Sequence, residues 1–193
     1  MNAYLIRLGI RPEIQEWLRP FYNTDDSGNL CFSYGDDIEV YGLAFHRMPL
    51  NGGCWKAGAE ALVRQTIICS SAMEALAWLN CHTVNLDHLL VVATGSRIAL
   101  PPLPKNKKVL VFGNDLLGHL CDLKAAALLD KHPVEISFVA DSVQITFRNK
   151  RYSINAEAFS LNAFERLSGY RFNAKTSKPS RHSSWLNQLL AYE

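Results

Sequence analysis

No apolar run in this 193-residue chain reaches the roughly 18 residues that a bilayer-spanning helix needs, so the sequence offers no transmembrane segment. The opening stretch, Met1 to Arg7, lacks the charged-then-apolar layout of a signal peptide, and we expect a cytoplasmic protein. Charge of one sign is not in excess: 20 basic residues against 18 acidic ones leave a net charge of +2, and the total carries no footprint for nucleic acid or membrane. Cysteines stand at 31, 54, 69, 81 and 121, with no Cys-x-x-Cys pair. A structural zinc ribbon needs such close thiolate pairs, so none is expected. The adjacent Cys81 and His82 read as a helix end, because neighbouring residues rarely point at one metal.

Other absences remove further chemistries. There is no Gly-x-Gly-x-x-Gly and hence no dinucleotide fingerprint. Gly113 and Gly118 have the spacing of a phosphate-cradling loop, but His119 follows where that loop needs lysine and a hydroxyl. Ser70-Ser71 sits at a strand-to-helix turn without the flanking glycines of a nucleophile elbow. The six histidines are dispersed, and no internal repeat or low-complexity tract is visible.

What remains is an ordinary globular composition, 48% apolar and 20% charged, long enough for one sizeable domain or a domain with a small appendage. Residues 107–122 organise it. Val109 to Phe112 is a short β-branched apolar run, read as a buried strand. It stops at Gly113-Asn114-Asp115, and a helical pattern starts near Gly118 and runs to about Lys131. Open α/β sheets bind ligands at such a strand end, beside a helix mouth. The simpler role for Asp115 is that of a turn and N-cap residue.

Similar runs at 66–69 and 89–93 complete a set of three buried-type strands, which predicts a parallel sheet. Ser70 is expected to cap a helix carrying Met73, Leu76, Ala77 and Leu79, with Glu74 in its first turns. Upstream, helical pieces at 3–8 and 12–22 precede a hairpin of strands 30–34 and 38–45, then a loop over 46–58. Downstream, a strand at 135–140, a hairpin of 143–147 and 152–154, and an amphipathic helix at 156–168 are expected. Residues 171–184 read as polar, basic and mobile, and 185–190 as a short helix. The fold class is α/β: a parallel sheet flanked by helices, with a small N-terminal α+β region. The boundaries fall at 1–62, 63–170 and 171–193.

Two stretches together resemble the Toprim domain of primases and topoisomerases: Ile67 to Leu76, and Val109 to Gly118. Tyr4 to Lys56 is similar to the region that precedes this domain in primase-like proteins of plasmids, phages and conjugative elements, and Trp185 to Leu190 to a segment near their end. The resemblance implies a Toprim-like sheet and Mg²⁺-dependent phosphoryl transfer. The family has a glutamate at the first strand end and an Asp-x-Asp pair at the later one. Here those positions are Ser70, Gly113 and Asp115, with Glu74 the other acid nearby. A hydroxyl and a bare Cα cannot supply the charges that Mg²⁺ prefers. The expectation is therefore a catalytically degenerate, primase-related protein that acts by binding, with no cofactor or a weakly held Mg²⁺ at Asp115.

Two alternatives stand beside it. An active nucleotidyl transferase or nuclease would gather Asp115, Glu74 and a third acid such as Glu60 or Asp122. A protein-interaction module, for instance within a replication or mobilisation complex, would show an exposed apolar patch. A DNA or RNA binder would gather Lys56, Arg64, Arg97, Lys105, Lys107 and Lys108 on one face, helped by the basic 171–181 segment; the plainer reading of these lysines is a solvated surface.

Overall fold

A computed structural model describes residues 2–191. Helices α1 (Ala3–Arg7) and α2 (Pro12–Leu18) open the chain, and Pro12 at the first helical position starts α2 without loss of a needed N–H. Four short strands follow: β1 (Asn23–Thr24), β2 (Leu30–Tyr34), β3 (Asp37–Tyr41) and β4 (His46–Arg47), an antiparallel sheet in that order.

The main sheet is built from β5 (Trp55–Ala57), β6 (Gln65–Cys69), β7 (Leu89–Ala93), β8 (Lys107–Leu110) and, much later, β12 (Lys175–Thr176). Helix α3 (Ala72–Cys81) follows β6 and α4 (Leu116–Leu129) follows β8. A second antiparallel sheet, β9 (Glu135–Val139), β10 (Ser142–Phe147) and β11 (Lys150–Asn155), leads to α5 (Leu161–Ser168), then β12 and α6 (Trp185–Leu190). The main sheet has the order β12-β8-β6-β7-β5; β5 alone runs antiparallel. No helix among the described residues is long and apolar enough to cross a membrane.

The sheet divides the core into two layers, because successive strand residues face opposite ways. Ile67, Val91, Val109 and Val111 face α3, α6 and the N-terminal elements, meeting Leu76, Trp185, Ile14 and Phe32. Ile68, Leu110 and Phe112 face α4, α5 and the second sheet, meeting Leu123, Phe164 and Ile145. The fold is thus mixed α/β, with a mixed sheet flanked by helices.

Two local expectations are corrected. The 46–58 loop contains β4 and β5. Trp55 is buried and donates its indole N–H to the Phe21 carbonyl at 2.7 Å. Gly58 leaves β5 with φ of +98° where a Cβ would overlap the Leu89 carbonyl, so glycine is required there. The predicted 156–168 helix is a 3-10 turn, Ala156–Ala158, followed by α5, whose N-cap is Ser160.

Candidate functional site

The strands β6, β7 and β8 end at one edge of the sheet, and the structure places both Ser70 and Asp115 there. Ser70 follows β6, and its carbonyl accepts the Gly95 N–H beyond β7 at 2.9 Å. Val111 donates to the Ile68 carbonyl at 2.7 Å, which carries the β8 pairing toward Gly113.

At this edge three carboxylates meet three helix N-termini. Asp115 is the N-cap of α4, its Oδ1 accepting the Gly118 N–H at 2.7 Å. Glu74, in the first turn of α3, accepts from the backbone N–H groups of Trp185 at 2.8 Å and Leu186 at 3.3 Å, at the start of α6. Glu39, on β3, does the same for α3, accepting from Ala72 at 2.8 Å and Met73 at 3.2 Å. Helix N-termini carry unpaired N–H groups and partial positive charge, so each acid is held where its charge is stabilised. The α3 N-cap is Ser71, which accepts the Glu74 N–H, and not Ser70 as expected.

Glu39 was not a candidate from sequence. It is fully buried, and its carboxylate also takes the Tyr34 hydroxyl at 2.6 Å and the His46 Nε2 at 2.8 Å. Burial, followed by the Glu39 charge, pushes the Tyr34 hydroxyl well above its ordinary value, so Tyr34 stays a donor. Burial also raises the Glu74 carboxyl above the usual range, against the lowering effect of its hydrogen bonds to residues 184–186.

The C-terminal segment lies across this edge. β12 pairs in parallel with β8, and the Ser177 N–H donates to the Leu110 carbonyl at 2.8 Å. The Lys178 Nζ donates to the Gly113 carbonyl at 2.7 Å and stands at ion-pair distance from Asp122, whose side chain is wholly buried on α4. That contact is electrostatic, since neither Asp122 oxygen has a partner aligned for a hydrogen bond among the described residues. The Asn114 N–H donates to the Ser183 carbonyl at 2.7 Å. A Cβ at Gly113 would overlap that same carbonyl. The segment read as mobile is therefore bound to the strand end along most of its length.

The donor set does not fit a hard cation. Ser70 and Gly113 bring no charge, Asp115 and Glu74 face backbone N–H groups, and Asp122 faces Lys178. Glu60 is elsewhere, paired with Lys56 at 2.7 Å. No group of three His, Cys, Asp or Glu side chains placed to hold a metal ion occurs among the described residues.

The basic candidates do not share one face. Lys56 is paired with Glu60, and Arg97 follows β7 at the carboxyl edge. Lys108 turns its ammonium inward to the Pro104 carbonyl and Asn106, and burial lowers its pKa. Arg64, Lys105 and Lys107 are exposed at the opposite, amino edge, where the Lys107 N–H donates to the Arg64 carbonyl. There a cleft of about 470 Å³ is lined by Lys107, Arg171 and Lys175, with Glu165 as the acid. Glu165 is buried and already accepts the Phe172 N–H at 2.9 Å, with Arg171 at 3.4 Å. Arg171 and Lys175 belong to the basic 171–181 segment; their approach to Lys107 follows from the β12–β8 pairing, which has no local sequence signal. No family model, curated protein or solved structure matches this chain.

Proposed function

We propose that this protein is a Toprim-like, primase-related nucleic-acid-binding protein that works by binding and not by phosphoryl transfer. One observation carries the binding half: exposed Lys107 on β8 and Lys175 on β12 converge on one cleft whose lining acid, Glu165, is already paired with Arg171. Such a cleft suits the phosphate backbone, where cations displace condensed counterions and position the strand without reading its bases. The non-catalytic half is supported by Glu39, Glu74 and Asp115, each occupied at a helix N-terminus. The Toprim resemblance is supported by Ser70 and Asp115 sharing the carboxyl edge of a sheet whose central strands are parallel.

The test is fluorescence anisotropy with labelled single- and double-stranded DNA and RNA over a salt series. Wild-type protein should bind at low salt and weaken steeply as salt rises. Lys107→Glu and Lys175→Glu should each weaken binding on every sequence and reduce the salt slope by about one. No binding at low salt, or binding that both variants leave unchanged, would overturn the proposal.

A further inference from the structure

Helix α4 is apolar on both sides. Its sequence, from Leu116 to Leu129, contains only His119, Asp122 and Lys124 as ionisable residues besides the thiol of Cys121. Leu123, Ala126 and Ala127 face the core. On the opposite side Leu117, Cys121, Lys124 and Leu128 recur at the spacing of one helical stripe. Leu117 is 68% exposed and Leu128 43% exposed. A surface helix normally turns a polar face outward, so an apolar outer stripe marks a surface made to be covered.

This stripe is one wall of a groove of about 430 Å³. The residues after β7 supply Arg97 and Ile98, and the approach to β9 supplies Val134. Arg97 and Lys124 are the charged side chains lining it, both basic and both exposed, and no acid lines it among the described residues. Cys121 lies in the same wall, but burial and then Asp122 push its thiol up to about 11, so it behaves as an apolar contact and not as a nucleophile. The groove shares no residue with the cleft at Lys107 and Lys175.

We propose that this groove docks an acidic segment of a partner protein, with the partner's apolar side chains against Leu117 and Leu128 and its carboxylates against Arg97 and Lys124. The charge pattern selects this occupant. An apolar floor between two unopposed cations complements a peptide that alternates acids with large apolar residues, and it disfavours basic segments and nucleic-acid phosphates, which have no use for the leucines.

The experiment is selection of a random-peptide display library on the full chain, followed by anisotropy with the enriched peptides resynthesised and labelled. Enriched sequences should combine Asp or Glu with Leu, Ile, Phe or Trp. The Arg97→Glu/Lys124→Glu double variant should weaken them about tenfold or more, since like charges then face each other. Leu117→Ser, at an exposed position, should weaken them with an unchanged melting temperature. Absence of enrichment, enrichment of basic or neutral sequences, or equal affinity for both variants would overturn the proposal. So would a concentration-dependent dimer that Leu117→Ser abolishes, because the groove would then be filled by a second copy. None of these outcomes depends on whether the Lys107 cleft binds nucleic acid.

Discussion

Lys178 places its ammonium between the carbonyl of Gly113 and the wholly buried carboxylate of Asp122. The pair fastens the segment after β12 to α4 beside the end of β8. Breaking a buried pair by removing one partner commonly costs about 3–5 kcal/mol, because the remaining charge is left without compensation. Lys178→Met should therefore lower stability by that order, as read by urea unfolding. Adding Asp122→Asn should recover part of the loss, since the orphaned charge goes with it. A Lys178→Met protein as stable as wild type would show that the contact holds nothing.

Gly113 is constrained by approach and not by catalysis. A side chain there meets the Ser183 carbonyl, so Gly113→Ala should cost about 1–3 kcal/mol through overpacking. Gly113→Asp, which would rebuild an acidic pair with Asp115, should lose at least as much and gain no metal site. Neither it nor wild type should show primer synthesis, strand cleavage or DNA relaxation with Mg²⁺ or Mn²⁺. The checks are thermal melts with and without millimolar Mg²⁺, and those three assays. Turnover by wild type that Asp115→Asn abolishes, or a metal-dependent rise in melting temperature lost in the same variant, would reverse this reading.

Glu74 predicts a pH dependence with a definite sign. Burial raises its folded-state pKa above the unfolded value of about 4.3. Its contribution is then fully present below that unfolded value and is lost as pH rises through the folded one. Glu74→Gln keeps an oxygen for the Trp185 N–H but does not titrate. Relative to the variant, wild type should lose stability as pH rises above about 4.3. Parallel melts across that range test it, and an opposite trend would mean that the N–H groups of α6 outweigh burial.

The parts of this fold that were readable from sequence are those whose burial is local and continuous. Leu89–Ala93 announces itself as an unbroken apolar run, Thr66–Cys69 as a short buried-strand run, and Trp185 to Leu190 as a helix. Asp115 was legible as an N-cap because a turn and a helix start flank it. β12 was not, since Lys175 and Thr176 are a two-residue strand with no apolar pattern of their own. Glu39 was hidden for a related reason. In an isolated hairpin an acid beside Ile38 and Val40 reads as the solvated face, and only the packing of β3 against the start of α3 makes it a buried cap. Ser70 was read as the cap in place of its neighbour Ser71, because only the backbone path shows which of two adjacent hydroxyls faces the Glu74 N–H.

The crossing of residues 175–190 over the strand ends bears on how the chain is made. During synthesis β8 and α4 leave the ribosome before the strand and the lysine that complete them, and domains tend to form as their sequence emerges. Until Lys175 arrives, β8 presents an open edge. Until Lys178 arrives, Asp122 lacks its lysine partner and has only His119 of its own helix nearby, and until Trp185 arrives Glu74 has no helix to cap. The nascent protein therefore holds an unfinished, partly charged core through the translation of some fifty residues after α4, an interval of roughly 3–10 s at ordinary bacterial or eukaryotic elongation rates. Premature stops in that interval should yield chains fit for proteolysis rather than truncated but working protein.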